Sequence, residues 1–340
     1  MGEFNTFYAG LLVGTTCWAA VLVLFWRLSN KQKGGFRLII GNILLFAFLG
    51  IVILLSGETY YRFFIDRTDS FALNKLSTRW GQRHYQYNNL RARDNIDYQY
   101  QIESGKRRLS IIGDSFTAGH GVKNIEDRFA NIIRNQHPEL EVHVIAANGL
   151  ETIDELGLVR KLHDEGYQFD MVLLVYCLND IAYLLPKANA IYERIYSFND
   201  GLGYFGRNSY FVNTLMFRWF ALNDKDFLNY SDFVLEGYSG ETFNTHKQVM
   251  QDLKSQLKAY GAGFKVVTFP FLHNANTYAF NGVHENLNDF WRKQHVDHLD
   301  LRGTFEGEKN LIVNRFDAHP NEKAHKLTAE AVESHFFHTE

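Results

Sequence analysis

The sequence contains only two cysteines and four prolines in 340 residues. Two cysteines exclude a small fold held together by several disulfides, and so few prolines argue against a long disordered or collagen-like chain. The 35 Lys and Arg residues against 38 Asp and Glu give a net charge of −3, so the chain lacks the basic surplus that binds nucleic acid. What remains is a globular protein of one or two domains.

Charged residues are also absent from two long stretches near the N-terminus. Residues 7–26 form an uncharged run of 20, and residues 38–55 form a run of 18 whose only strongly polar side chain is Asn42. Because a helix rises about 1.5 Å per residue, about 20 apolar residues cross the hydrocarbon core of a bilayer. The runs therefore predict a transmembrane helical hairpin within residues 1–57. A cleaved signal peptide and a pair of buried core helices are the alternatives.

The loop between these runs indicates how the hairpin is oriented. It carries four basic residues and no acid, namely Arg27, Lys31, Lys33 and Arg37. Since basic loops stay in the cytoplasm, the N-terminus and everything after residue 57 are expected on the far side of a bacterial cytoplasmic membrane, in the periplasm or outside the cell. The only charge before the first run is Glu3, whereas a signal peptide needs positive charge there.

Downstream of residue 106, short apolar runs alternate with stretches of helical periodicity. The apolar runs predict five strands, at residues 107–113, 141–147, 170–178, 264–271 and 295–301. The periodic stretches predict four helices, at residues 125–136, 151–166, 246–263 and 321–337. Strands that alternate with helices form parallel sheets covered on both faces. Residues 106–340 are therefore predicted to be a three-layer α/β/α domain with a parallel five-stranded sheet.

Two segments depart from this alternation. Residues 58–105 are polar and aromatic, and we expect a connector that lies over the domain surface, with a helical start followed by loops and short strands. Residues 186–245 are rich in Tyr, Phe and Asn and are expected to form an insertion that covers one end of the sheet. Its aromatic side chains could bind a sugar face or an acyl chain, or form a local core.

Polar residues stand at the ends of the predicted strands and before the last helix. They are Ser115 on a Gly-Asp-Ser turn, Gly149, Asn179, Asp317 and His319. Parallel sheets bind ligands outside the carboxyl ends of their strands. These residues are therefore expected to meet at one edge of the sheet and to form the functional site.

The same positions resemble the four sequence blocks of the SGNH/GDSL hydrolase family. The blocks stand in the family's order, at residues 113–121 (GDSFTAGHG), 149–152 (GLET), 179–180 (ND) and 316–325 (FDAHPNEKAH). The resemblance covers residues 106–335 and implies the family's flavodoxin-like fold and a serine hydrolase. Residues 87–98 (YNNLRARDNIDY) also resemble a segment that precedes the catalytic domain in exported members linked to glycan acylation.

The resemblance implies a role for each residue. Ser115 would be the nucleophile, His319 the base that takes its proton, and Asp317 the acid that orients the imidazole. The oxyanion would be bound by the backbone N–H groups of Ser115 and Gly149 and by the side-chain amide of Asn179. The family usually spaces acid and base as Asp-x-x-His, whereas here one residue separates them. Position 177, where the family has Gly, is a cysteine.

Each of these residues also has a purely structural interpretation. The Gly-Asp-Ser sequence can be only a turn, and Asn179 can close a strand as an Asx turn. Gly149 can serve only the shape of the backbone. Asp317 can cap the last helix, since Asp is common before a helix start.

The 14 histidines do not indicate a metal site. The pairs His295 with His298 and His319 with His325 form no recognised ligand set with acids or cysteines. We therefore expect no metal and no cofactor.

The anchor and the blocks together predict a membrane-anchored serine ester hydrolase. It is expected to act on O-acyl esters, above all O-acetyl esters, of a carbohydrate or cell-envelope glycan. The expected partners are the lipid bilayer, a glycan or lipid-ester substrate, and a membrane acyltransferase or another membrane protein, but no nucleic acid. Two alternatives stay open: an O-acyltransferase that uses the same acyl-serine intermediate, and a non-catalytic subunit of a larger membrane complex.

Overall fold

The computed structural model describes most of the chain, namely residues 5–29, 35–70, 73–272 and 278–337. These residues form an N-terminal pair of long helices, an α/β domain, and helical segments that join and cover the two. Of the basic residues predicted to orient the hairpin, Lys31 and Lys33 lie outside the described residues.

The N-terminal pair consists of α1 (Thr6–Leu28) and α2 (Gly35–Thr59), and a π-helical turn over Tyr60–Phe64 extends α2. The two helices pack together, and the Trp18 ring N–H donates to the Leu44 carbonyl at 3.0 Å. Both are long and apolar enough to cross a membrane, and only 6% of the apolar window of each is buried in the protein. Such low burial is not that of core helices, which leaves a membrane anchor or a signal sequence.

The predicted parallel sheet is confirmed. Its strands are β1 (Arg107–Gly113), β2 (Leu140–Ala146), β3 (Met171–Cys177), β4 (Gly263–Phe269) and β5 (Asp297–Asp300). They pair in the order β2-β1-β3-β4-β5, and every pair is parallel. This is the flavodoxin-like order, which reverses direction between β1 and β3. The carboxyl ends of strands at such a reversal form a crevice that binds ligands.

Helices flank this sheet, and β3 is buried along nearly its whole length. The helices after α2 are α3 (Lys75–His84), α4 (Ser115–Ala118), α5 (Phe129–Gln136), α6 (Thr152–Asp164), α7 (Pro186–Tyr196), α8 (Tyr204–Asn208), α9 (Tyr210–Asn223), α10 (Lys225–Leu228), α11 (Tyr230–Gly237), α12 (Gly240–Ala259), α13 (Asn281–Lys293), α14 (Arg302–Phe305) and α15 (Glu322–Phe336). Because helices cover the sheet, β3 is buried on both faces, which explains why its sequence is a continuous apolar run.

Two local features differ from the sequence prediction. The helix predicted over residues 125–136 is divided into a 3-10 turn over Ile125–Asp127 and α5, because Arg128 between them has an extended backbone. The residues before α15 form a second, antiparallel sheet from β6 (Ile312–Asn314) and β7 (Asp317–Pro320). Short strands of this kind leave no clear apolar alternation in the sequence.

The segment over residues 58–105 starts with helix, as predicted, but its later part holds little of the expected strand. Among its described residues, strand pairing is limited to one isolated bridge between Tyr87 and Arg93. The segment is also more than a surface layer, because Trp80 of α3 is buried.

The insertion over residues 186–245 folds into helices α7 to α11. Leu73 of the connector packs against three side chains of the insertion, Ile191, Ile195 and Phe217, and together they form a small second core. Some of the insertion's aromatic side chains therefore form a local core, while others, such as Trp219, are exposed.

Candidate active site

Ser115 is the first residue of α4 and follows the turn after β1, at the carboxyl edge of the sheet. The turn is tight, because a Cβ on Gly113 would lie 2.2 Å from the Thr117 Oγ1. Asp114 caps the short helix, since its carboxylate accepts the Phe116 N–H at 2.8 Å. As the first residue of α4, Ser115 has a backbone N–H with no partner inside the helix. The turn thus presents a hydroxyl and a backbone donor at the same position.

The fold brings His319 to Ser115 from 204 positions away in the sequence. Ser115 Oγ and His319 Nε2 are 3.0 Å apart. Both residues are buried, with 2% and 6% of their surfaces exposed. A hydroxyl in hydrogen-bond contact with an imidazole nitrogen can pass its proton to that ring.

Asp317 contacts the other ring nitrogen of His319, and β7 explains how the short spacing allows this. Alternate residues of a strand face the same side, and here Asp317 and His319 are buried while Ala318 between them is exposed. Asp317 Oδ1 accepts hydrogen bonds from His319 Nδ1 and, at 3.2 Å, from the His319 backbone N–H. The helix-cap interpretation of Asp317 is wrong, because Asn321 caps α15 by accepting the Ala324 N–H at 3.1 Å.

A second histidine, His120, lies on the other side of Asp317. Its Nε2 is 3.6 Å from Asp317 Oδ2, and its ring centroid is 4.6 Å from that of His319. Burial opposes ionisation of Asp317, but the two neighbouring histidines outweigh burial and hold the pKa of the Asp317 carboxyl below its ordinary value. Sequence reasoning missed His120. It stands in the first block, between Gly119 and Gly121, where no spacing marks it.

Gly149 and Asn179 follow the two strands that flank β1. Gly149 has a φ of +81°, and Tyr196 Oη lies 3.7 Å from the place that a Cβ would take. Glycine adopts this conformation without strain. The Thr152 N–H donates to the Asp180 carbonyl at 3.4 Å and joins the two segments. Asn179 Oδ1 accepts no hydrogen bond from the described residues, so the Asx-turn interpretation is not supported. Both predicted oxyanion residues lie at the same edge of the sheet as the serine.

Three further carboxyl groups are buried close to this edge, on Asp114, Glu155 and Asp180. Burial raises the pKa of Asp114 to about 6, although the Phe116 N–H and the charge of His319 oppose the rise. Burial, followed by repulsion between the carboxyls, raises the pKa values of Glu155 and Asp180 well above the ordinary range. Neither oxygen of Glu155 accepts a hydrogen bond from the described residues. Burial without a hydrogen-bond donor thus favours the protonated form of the Glu155 carboxyl.

One group of side chains has the geometry of metal ligands. His120, Asp317 and His319 each offer a ligand atom within 4.8 Å of the others, and over the described ranges no other set of three His, Cys, Asp or Glu does so. The two ring nitrogens of His319 already contact Asp317 and Ser115. The group is therefore arranged for proton transfer with the serine.

Comparisons with known proteins give only distant likenesses. No family model and no curated protein matches the chain. Among solved structures it is similar to TesA, with 12% identity, a TM-score of 0.44, and coverage of 68% of this chain and 98% of that chain. It is also similar to a lipolytic protein of the G-D-S-L family from Veillonella parvula, with 12% identity, a TM-score of 0.42, and coverage of 68% of this chain and 99% of that chain. An extracellular lipase from Streptomyces rimosus is 13% identical, with a TM-score of 0.42 and coverage of 67% of this chain and 99% of that chain.

These likenesses are distant, and the case for a site depends on the chain's own geometry. The first three sequence blocks follow β1, β2 and β3, where the parallel sheet reverses its strand order. The fourth block, on β7 and α15, brings His319 and Asp317 into contact with one another and His319 into contact with Ser115. The chain thus resembles the SGNH/GDSL hydrolases in its four sequence blocks, and its own fold brings residues of those blocks together.

Proposed function

We propose that this chain is a membrane-anchored serine ester hydrolase. The observation that carries the proposal is the 3.0 Å contact between Ser115 Oγ and His319 Nε2, with Asp317 bonded to the other ring nitrogen. A nucleophile, a base and an orienting acid in this arrangement recur on unrelated folds that perform acyl transfer. A non-catalytic subunit would have no need to align three buried polar groups in this way.

The first half of the reaction acylates the serine. As Ser115 Oγ attacks the ester carbonyl carbon, its proton passes to His319 Nε2, and Asp317 stabilises the imidazolium that forms. The negative oxygen of the tetrahedral intermediate accepts hydrogen bonds from the backbone N–H groups of Ser115 and Gly149 and from the Asn179 amide, each worth about 3 kcal/mol. The ester C–O bond then breaks, and the alcohol leaves with the proton from His319.

The second half transfers the acyl group from Ser115 to an oxygen nucleophile. Water, deprotonated by His319, attacks the acyl-serine carbonyl and yields a free acid, and the proton returns to Ser115 Oγ. A sugar hydroxyl that takes the place of water yields a new ester, so the same residues serve an O-acyltransferase. The product depends on whether water or a sugar hydroxyl occupies the position beside His319.

The finer assignment is to O-acyl esters, above all acetyl esters, of a carbohydrate or cell-envelope glycan outside the cytoplasm. Two observations support it. The basic loop between α1 and α2 favours a cytoplasmic position for that loop, so the α/β domain is expected on the other side of the membrane. The resemblance of residues 87–98 to a segment of exported proteins linked to glycan acylation favours a glycan as donor or acceptor.

The test is covalent labelling of the purified full-length chain by a fluorophosphonate, together with turnover of p-nitrophenyl acetate. We expect both in the wild type, and we expect Ser115→Ala to abolish both. Ser255→Ala removes an exposed hydroxyl on α12 and should change neither. Absence of labelling and turnover in a folded wild-type chain would overturn the proposal in favour of a non-catalytic subunit.

A second measurement separates hydrolysis from transfer. Acetylated oligosaccharide donor is incubated with the chain and an unacetylated oligosaccharide acceptor, and free acetate and acetylated acceptor are both quantified. Free acetate alone identifies an esterase. Acetylated acceptor that depends on Ser115 identifies a transferase.

A further inference from the structure

Helix α9 of the insertion has an exposed side without charge. Its only charged side chain, Arg218, turns into the protein and pairs with Asp69 through contacts of 2.7 and 3.1 Å. The side chains that point outward are Leu215, Met216, Trp219 and Leu222, which we call the α9 face. Trp219 is 70% exposed, and the other three are between 40% and 51% exposed. Exposed apolar side chains gathered in this way mark an interaction surface.

The spacing of these residues makes the α9 face continuous. Positions 215, 219 and 222 differ by four and three, so their side chains share one side of the helix. Position 211, four residues earlier, extends the same line toward the N-terminus of α9. The line thus runs along the whole helix, about 20 Å at 1.5 Å per residue.

The N-terminal end of this line lies against the long apolar helices. A Cβ on Gly57 would lie 2.7 Å from the Phe211 ring, so α2 and α9 are in close contact. In the preceding helix α8, the exposed rings of Tyr204 and Phe205 lie 5.9 and 6.0 Å from the Phe7 ring of α1. The α9 face therefore begins beside the start of α1 and the end of α2.

A buried polar network fixes this junction. Glu58 is fully buried and pairs with Arg62 at 2.6 Å. The other Glu58 oxygen accepts from Ser209 Oγ at 2.6 Å and from the Phe211 N–H at 3.1 Å. Removing one partner of a buried ion pair is costly, so the network holds the start of α9 in one orientation relative to α2. The α9 face cannot turn away without breaking these contacts.

We propose that the α9 face lies in the interfacial layer of the lipid bilayer that α1 and α2 span. The inference extends the anchor of the proposed function from two helices to the insertion beside them. The apolar faces of amphipathic helices insert between the lipid headgroups and the acyl chains, and Trp and Tyr side chains are enriched at that level of the bilayer. Lipid fits better than a protein partner, because the face continues from the hairpin and offers no charge to select a partner.

The proposal has a consequence for the active site. The same insertion supplies Tyr196, whose hydroxyl stands beside Gly149. An insertion held in the bilayer surface would therefore keep the catalytic edge of the sheet at a fixed height above the membrane. Esters presented at that surface would reach Ser115 without leaving it.

The test uses tryptophan fluorescence of the full-length chain in phosphatidylcholine vesicles that contain lipids brominated near the headgroup end of the acyl chains. The chain has five tryptophans. In a variant with Trp18→Phe and Trp26→Phe, the remaining ones are Trp80, Trp219 and Trp291. Trp80 and Trp291 are buried, so only Trp219 can meet bromine. We expect strong quenching by the brominated lipids and weaker quenching when bromine is placed near the bilayer centre.

Adding Trp219→Phe to that variant should remove the quenching, whereas adding Trp291→Phe should leave it. Carbonate extraction of the same vesicles reports the anchor separately. A chain that resists extraction but shows no quenching of Trp219 would overturn the proposal while the anchor stands. Cross-linking of the α9 face to a second copy or to another protein, without quenching, would overturn it in favour of a protein interface. A chain that is extracted would overturn both the anchor and this proposal, whatever its labelling at Ser115.

Discussion

The carboxylate of Asp317 lies between two imidazole rings. Its Oδ1 bonds to His319 Nδ1, and its Oδ2 is 3.6 Å from His120 Nε2. Burial lowers the pKa of His120, although the nearby Asp317 carboxylate opposes this. Its Nε2 faces two groups that only accept, the Ser70 carbonyl at 3.2 Å and the Asp317 carboxylate, whereas its Nδ1 lies 3.0 Å from the Tyr85 hydroxyl. His120 Nε2 therefore carries a proton, which it directs toward Asp317.

His120 is predicted to position the acid of the proposed triad. His120→Phe keeps a ring in place but removes the N–H that faces Asp317 Oδ2. Asp317 then attracts the proton on His319 more strongly, so the base becomes protonated at higher pH. We expect kcat to fall about tenfold, equivalent to about 1.4 kcal/mol, and the acid limb of the pH profile of kcat/KM to move to higher pH.

The matched control for this variant is His163→Phe, which replaces an exposed histidine on α6. It should leave both kcat and the pH profile at the wild-type position. A purely structural role for His120 would lower the yield of active protein without moving the profile. That result would contradict the assignment of His120 as a positioning residue.

Asp317→Asn tests whether the acid acts at its short spacing from His319. An amide cannot stabilise the imidazolium, and it can hold the ring in the wrong tautomer. We expect kcat to fall on the order of 10⁴-fold with little change in KM, and fluorophosphonate labelling of Ser115 to slow in parallel. Asp289→Asn changes an exposed carboxylate on α13 and should leave both measurements unchanged. Turnover near the wild-type rate in Asp317→Asn would remove Asp317 from the triad.

The sheet and most of the candidate site could be predicted because their signals are local. Strands buried on both faces read as apolar runs, and β3 is the clearest case. Parallel strands end at one edge, so Ser115 and Asn179 could be expected together before any distance was known. The contact between Asp317 and His319 could not be predicted in the same way. It depends on β7, a strand of four residues whose pattern is too short to recognise.

The contacts of His120 and of the connector join residues that are distant in the sequence, and local sequence patterns do not indicate such contacts. The contacts of His120 come from Thr68, Tyr85 and Asn148, which lie far apart in the sequence. The connector's Trp80 packs 5.3 Å from the His120 ring, a contact that no periodicity within residues 58–105 foretells. Only folding brings these residues to one place, so only a structure could assign the connector to the wall of the active site.

The buried carboxyl of Glu155 is predicted to make stability depend on pH. An unfolded glutamate ionises above about pH 4.3, whereas folding raises the pKa of Glu155 well above its ordinary value. Between those two pKa values the folded chain holds a proton that the unfolded chain has lost. The free energy of unfolding therefore falls as pH rises through that window, by about 1.4 kcal/mol per unit. Glu155→Gln removes this dependence, because an amide does not titrate.

We expect thermal unfolding in detergent to show Glu155→Gln more stable than the wild type at about pH 8, with the difference shrinking toward about pH 5. The control is Glu285→Gln, which replaces an exposed carboxyl on α13 and should follow the wild-type curve at every pH. The substitution also removes the repulsion between the Glu155 and Asp180 carboxyls, while Asp180 stays buried. A difference between Glu155→Gln and the wild type that grows toward low pH would show that Glu155 is ionised in the folded protein and held by a cation or water.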